Sequence, residues 1–374
     1  MQILAYLIAS IIPLLSLFLI YKLDLYKTGE FKTILICGAA GVAAFSAAAF
    51  FNGTIISQGW MERMDVIRYA APVIEEILKG LTLWVLVRSA KFTYFVEGAV
   101  YGFAAGIGFA IIENFQYIIG SPDAGFAIAV SRVISTNLIH ATTCGLLGIS
   151  LGIARFERIP RLILYSLGGL LIAMLLHIGF NNMVTRVNSG LLLVYAAVSG
   201  FGGAGLIALA IHRGFKDEKD WLKETLGMAD RVTQHEAKIV QHIEKIQDVL
   251  KPLAKRYGAK EAAKIEKIII LQARIGLLRK SLENHADEKM KRSVENQMAK
   301  MRGEMETAQR NVGTYAMLQL RHTLPEDVSP VWGKLESIIQ ERASTPQAAG
   351  GTNLWNNLKS RQEKMAEQKQ ESES

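Results

Sequence analysis

Cysteine is nearly absent from this 374-residue chain: there are two, Cys37 and Cys144, each inside an apolar stretch. Two isolated thiols exclude a disulfide framework and a CxxC metal site, and both read as small core residues. Charge is scarce in the first half. Residues 1–212 carry 13 Lys/Arg and 10 Asp/Glu, whereas residues 213–374 carry 29 and 24. That asymmetry excludes a single soluble globule and points to a membrane half followed by a charged, water-exposed half. Excess charge of one sign is also lacking. The formal net charge of +8 divides into +3 and +5, and the tail is dense in both signs. It reads as solvated helical surface and not as a nucleic-acid site. The first apolar run, MQILAYLIASII, has no basic residues before it and no small-residue cleavage site near its end, so it reads as a retained span.

What is present are seven apolar segments long enough to cross a bilayer, at roughly 3–21, 33–56, 66–87, 95–119, 126–153, 162–184 and 190–211. Loop charges orient them. Lys22, Lys27 and Lys32 follow the first, Arg88 and Lys91 the third, Arg155, Arg158 and Arg161 the fifth, and Arg213, Lys216 and Lys219 the last. The remaining loops are poorer in net positive charge. The expectation is an N-terminus outside and a C-terminus in the cytoplasm. The expected fold is all-α: a polytopic membrane bundle of about seven transmembrane helices with a cytoplasmic C-terminal helical or coiled-coil domain. The boundaries read as 1–212 for the membrane domain, 213–342 for the helical domain and 343–374 for a disordered tail.

In the C-terminal half, apolar residues recur at helical spacing: Trp221, Leu222 and Leu226, then Ile239, Ile243, Ile246, Val249 and Leu250. Pro252 and Gly258 predict breaks, and Ile265, Ile268, Ile269, Ile275 and Leu278 a further helix. A short amphipathic helix is expected around Val331, Trp332, Leu335 and Ile338. No motif in this half carries recognisable chemistry. A soluble cytoplasmic partner, or self-association through these helices, fits it equally well.

Ionisable groups within a bilayer cost at least about 2.5 kcal/mol each at the centre, so they usually have a partner and often a function. The third segment, APVIEEILKG, holds Glu75, Glu76 and Lys79. Both carboxylates are within one turn of Lys79, and the two point about 100° apart. One can face a cavity while the other is held. The bland reading is a buried ion pair that locks packing. The fourth segment has Gly102, Gly106 and Gly108, which allow close helix approach, then Phe109, Glu113 and Asn114. Glu97, near its start, is expected at the interface. The fifth has Arg132, Asn137 and His140, with Arg132 expected to snorkel outward. The sixth, LLHIGFNN, places His177 and Asn181 on one face, one turn apart. At 1.5 Å per residue the glutamate pair lies about 14 Å from the outer end of its helix, Glu113 about 9 Å and His177 about 10 Å. His140 comes out deeper, about 21 Å along a straight helix.

In order and type these residues resemble the PrsW family of polytopic membrane proteases, which groups with the type II CAAX prenyl endopeptidases. Glu75-Glu76-Ile-Leu-Lys79 resembles EExxK. Phe109 to Glu113 resembles FxxxE, where the CAAX relatives have FxxxH. His140 resembles the isolated histidine, and His177 to Asn181 resembles HxxxN. The resemblance covers roughly residues 70–185 and leaves the tail unexplained. It implies an intramembrane endopeptidase of a bacterial cytoplasmic membrane. The implied partners are the lipid bilayer and a single-span membrane protein substrate, such as an anti-sigma factor cut at its extracytoplasmic side. Peptide hydrolysis needs an activated water, an oxyanion donor and a proton for the leaving amine. Glu75 or Glu76 suits the base, His177 and His140 suit water or proton handling, and Asn181 suits the oxyanion. Lys79 suits a partner for the second glutamate. Two histidines and a glutamate would also serve zinc. We favour the metal-free route on sequence grounds and keep zinc as the alternative. Two other classes remain open: a non-catalytic scaffold of the same fold, and a proton-coupled transporter, for which no inverted repeat is visible.

Overall fold

The computed structural model describes residues 1–312, apart from 90–91, 158, 187–188, 227–233 and 285–287. All described residues belong to one compact unit, Met1–Arg321. The expected amphipathic helix at 331–338 and the tail from 343 lie outside the described residues.

Every regular element among the described residues is helical. The first half runs α1 (Gln2–Leu23), α2 (Phe31–Ser57), a single turn α3 (Arg63–Asp65), a π-helical turn (Val66–Ala70), α4 (Ala71–Leu86), α5 (Phe95–Gly120), α6 (Gly125–Ile134), α7 (Thr136–Ala154) and α8 (Ile159–Val184). Then α9 (Ser189–Thr225) carries the chain into α10 (Gln234–Gln241), α11 (Ile246–Tyr257), α12 (Ala259–Asn284) and α13 (Glu288–Asn311). Among the described residues, five segments are long and apolar enough to cross a membrane: α1, α2, α5, α6 with α7 taken together, and α8. α4 has only 16 residues and carries three ionisable side chains, which sets it apart from a plain apolar span.

Burial sorts these helices. α5 and α7 are buried along nearly their whole lengths. By contrast α1, α2 and α8 leave large apolar side chains such as Leu19, Phe50 and Leu164 exposed. Apolar outer faces around a buried pair suit a hydrocarbon solvent, where packing and not hydrophobicity holds helices together. Small residues make that packing. Gly98, Gly102 and Gly106 lie one turn apart on α5 and meet α7 at Gly148, Cys144 and His140. A Cβ at any of the three would run into α7 backbone, so the two helices approach as closely as their main chains allow. Cys37 and Cys144 are buried free thiols in this core, as expected.

Some details depart from the sequence expectations. The fifth apolar segment is not one straight helix: it breaks at Ser135 (φ −109°, ψ −80°), so His140 lies one turn into α7. Pro252 does not break its helix. It sits inside α11, which stops at Gly258, where φ is +90° and only glycine fits without strain. Glu97 is fully buried inside the protein. Its carboxylate accepts the Thr93 and Tyr94 backbone N–H groups and caps α5.

The C-terminal helices pack onto this bundle. Trp221 at the end of α9 packs against Tyr94 with the rings tilted 48° and their centroids 4.4 Å apart. Arg279 of α12 donates to the Thr225 carbonyl, closing α9, and Lys27 pairs with Glu266 at 2.8 Å. α13 buries Val294, Met298, Met301 and Met305 on one side, facing α12.

Candidate active site

Four helices deliver polar side chains to one buried cluster. From α4 come Glu75, Glu76 and Lys79, from α5 Glu113, from α7 His140 and Thr143, and from α8 His177. The three-residue step from Glu76 to Lys79 aligns them on one face, and Lys79 Nζ sits 2.5 Å from Glu76 Oε1 with both side chains sealed from solvent.

Glu76 is the carboxylate held through one oxygen, Oε1, while its Oε2 has no hydrogen-bond partner among the described residues. Its Oε1 also receives the Thr143 hydroxyl (3.1 Å) and faces His177 Nδ1 (2.8 Å). A carboxylate only accepts, so Nδ1 of His177 carries a proton, and in the neutral ring its Nε2 presents a lone pair. That nitrogen faces Glu75 Oε2 at 3.8 Å. Glu75 Oε2 is buried and has no hydrogen-bond partner among the described residues. The adjacent glutamates therefore differ: Glu76 is locked by three donors on Oε1, whereas Glu75 turns an unbonded Oε2 towards the His177 ring.

His140 is fixed from both sides. Lys79 Nζ lies 3.0 Å from its Nδ1, and Glu113 Oε2 lies 2.8 Å from its Nε2. The ammonium can only donate and the carboxylate can only accept, so the proton is on Nε2. Its ring meets His177 edge to face at 4.7 Å between centroids, and Phe109 flanks it at 4.9 Å. The FxxxE turn thus contributes twice: Glu113 holds His140, and Phe109 packs against the ring and against the Lys79 ammonium, 4.8 Å away.

Arg132 is not a snorkelling residue. Its guanidinium pairs with Glu113 Oε2 at 2.7 Å, donates to Asn114 Oδ1 at 2.8 Å and lies 3.8 Å from the Tyr117 ring centroid. Asn181 is not drawn into the histidine–glutamate cluster. Its amide donates to the Ile67 carbonyl (2.8 Å), and the neighbouring Asn182 and Thr185 bind the Arg68 carbonyl and side chain. The end of α8 therefore grips the π-helical turn that leads into α4. A π turn leaves backbone groups out of the regular ladder, and here they find side-chain partners.

Glu75, His140 and His177 each offer a ligand atom, and the three atoms lie within 4.8 Å of one another, all on buried residues. Two histidines and a carboxylate with an open position are the ligand set of catalytic zinc sites. Three further features fit a cation here. Glu75 Oε2 is an orphaned acceptor, and His177 has a free lone pair oriented by a carboxylate, a common outer-shell arrangement. Three carboxylates against Lys79 and Arg132 leave the cluster formally negative. His140 would exchange one of its two present partners on taking up a metal.

Sequence reasoning named Glu75, Glu76, Lys79, Glu113, His140 and His177, and they meet. It missed Thr143 and undervalued Arg132, Asn114 and Asn137. The available signal was an arginine and two asparagines in apolar segments, where any strong hydrogen-bonding group needs a partner.

Residues 26–209 match the family described as PrsW family intramembrane metalloprotease. Over 117 residues, 31% of this chain, the sequence is 31% identical to Protease PrsW of Bacillus subtilis (strain 168). The match spans about half, 52%, of that relative's length. No solved structure matches the chain.

Proposed function

The chain belongs, through residues 26–209, to the PrsW protease family, and on that premise we propose that it is an intramembrane endopeptidase. It would hydrolyse a peptide bond of a single-span membrane protein at the cluster of Glu75, His140 and His177. The observation that carries this is the gathering of those three residues from α4, α7 and α8 with an unpartnered carboxylate oxygen among them. The architecture we propose counts α4 and the first part of α9 as spans, which gives seven. It leaves the N-terminus outside and the C-terminal helices in the cytoplasm, in agreement with the loop charges.

Glu75, His140 and His177 would hold a divalent metal ion, zinc by ligand type. When bound, such an ion supplies Lewis acidity at the reacting carbonyl. The remaining side chains have separate tasks. Glu76, held by Lys79 and Thr143, fixes His177 in the tautomer whose Nε2 is free. Lys79 also orients His140. Of the two carboxylates outside the ligand set, Glu76 is sealed against Lys79 and Glu113 is partly open, so Glu113 is the one assigned to proton transfer. It takes a proton from the attacking water and returns it to the leaving amine, with Arg132 holding it in place at 2.7 Å. The cluster is walled by apolar helix, which strengthens each of these interactions relative to water. Substrates of the anti-sigma-factor type, cut near the extracytoplasmic side, suit the shallow depth of Glu113 and His177.

The test is cleavage by purified protein in detergent of a panel of single-span substrates, with new termini read by mass spectrometry. Wild-type protein cuts and Glu75→Gln does not, although both remain folded. Equal cutting by both defeats the proposal and favours the scaffold reading.

A further inference from the structure

Hydrolysis at this cluster needs a donor for the oxygen of the scissile carbonyl, and the residue expected to supply it, Asn181, has its amide on the Ile67 carbonyl. A second asparagine has the opposite arrangement. Asn137 is 1% exposed, one turn before His140 on α7. Its orientation follows from a chain of fixed donors. Arg132 can only donate, so the Asn114 atom it meets at 2.8 Å must be Oδ1. That turns Asn114 Nδ2 towards Asn137, and the atom it meets at 2.5 Å must be Oδ1 in turn. Asn137 Nδ2 is then left as a buried amide donor with no acceptor among the described residues. An unused buried N–H of this kind is destabilising, so its retention calls for an acceptor that arrives with a ligand.

Asn137 also neighbours the reacting groups. Asn114 follows Glu113 in sequence and shares Arg132 with it, and Glu113 bonds His140. The relay from Arg132 through Asn114 to Asn137 thus shares its cation with Glu113 and ends one turn before His140 on α7. A cation at its head and two amide dipoles aligned behind it enhance the terminal donor.

We propose that Asn137 is a catalytic residue that donates its Nδ2–H to the carbonyl oxygen of the scissile peptide bond and strengthens that bond as the oxygen gains negative charge. This rests on the hydrolytic reading of the cluster. It assigns the oxyanion donor to α7, on the residue whose amide is free, and leaves Asn181 as an anchor for the π-helical turn.

Asn137→Asp is the informative change: it keeps the acceptor that Asn114 needs, keeps the shape, and removes the amide donor. The experiment measures kcat and KM for a cleavable single-span substrate, with thermal unfolding on the same samples, for wild type, Asn137→Asp, Asn137→Ser and Glu75→Gln. A lost oxyanion donor lowers kcat by about 10²–10³-fold, with KM within about twofold, because the interaction forms in the transition state. Asn137→Ser, whose hydroxyl can still accept from Asn114 but is too short to donate where the amide Nδ2 does, serves if the aspartate variant unfolds, and is expected to show the same loss in kcat. Normal kcat in a folded Asn137 variant while Glu75→Gln is inactive overturns the inference and leaves the hydrolytic reading intact. Normal kcat in Glu75→Gln overturns that reading and the inference with it. A loss confined to KM or to unfolding temperature makes Asn137 structural and also overturns the inference.

Discussion

Gly106→Ala places one methyl group at the closest approach of α5 and α7. Its Cβ would fall 2.6 Å from Ala141 Cα and from the His140 carbonyl carbon, with the His140 carbonyl oxygen closer still. These are backbone atoms of a helix, so no side-chain rotation relieves the clash. α7 must retreat by about 1 Å to restore ordinary contact, and such overpacking costs about 1–3 kcal/mol. The displaced residue is His140, whose bonds to Lys79 and Glu113 are 3.0 and 2.8 Å long. A retreat of that size lengthens both beyond useful range. Misplacing a reacting group by about 1 Å can lower a rate by about 10²-fold. The assay is cleavage of a single-span substrate alongside thermal unfolding, with Gly53→Ala as control, since a Cβ there meets nothing within 4 Å. The expectation is a loss of about 10²-fold in kcat for Gly106→Ala with a lower unfolding temperature, and no change in either for Gly53→Ala. Wild-type turnover by Gly106→Ala would refute the claim that helix approach positions His140.

Glu76→Gln leaves the sealed Lys79 ammonium without its counter-charge, and breaking such a pair costs about 3–5 kcal/mol; with metal stripped from all samples, the variant should unfold at markedly lower temperature than wild type, whereas Glu75→Gln, whose Oε2 has no partner among the described residues, should not, as a melting comparison will show. Arg132→Gln should lower kcat by about tenfold or more and Arg132→Lys should not restore it, because the guanidinium serves Glu113 and Asn114 from separate nitrogens. Glu218, beyond the apolar part of α9, is 2% exposed and its Oε1 has no partner among the described residues. Burial pushes its carboxyl well above the usual carboxylate range, and Glu97, Asp24 and Asp217 add to the shift. The folded state therefore holds a proton that the unfolded chain releases above about pH 4.5, so stability falls as pH rises from there towards the folded value. Glu218→Gln should raise the unfolding temperature at pH 7–8 and change little near pH 4, in a melting series across pH; equal gains at both would show that the carboxyl is not the cause.

The helical class, the apolar segments and most of the cluster could be read from the residues, because each rests on a local rule. A carboxylate pair one turn from a lysine must share a face, and a histidine in an apolar segment must find a partner. What could not be read depends on how helices meet. The break at Ser135 has no proline or glycine to announce it, so the rise along one straight helix does not apply to His140. Nothing local distinguishes Glu75 from Glu76; the difference arises because Thr143 and His177 arrive from α7 and α8 to claim one of them. Asn181 has the spacing of a site residue, yet the π-helical turn at Val66–Ala70, which spacing does not reveal, takes its amide. Arg132 and Asn114 gained their roles only when α6 was seen to bring the guanidinium to Glu113.

The central claim is that Glu75, His140 and His177 form one hydrolytic, metal-holding centre. The most direct measurement is metal content per chain in purified, folded wild type and in Glu75→Gln, His140→Ala and His177→Ala, paired with cleavage before and after chelation and after re-addition of zinc. The account predicts close to one divalent ion per wild-type chain, loss of both ion and cleavage in the variants, and cleavage that falls on chelation and returns with zinc. Full cleavage by wild-type protein stripped of metal would contradict it.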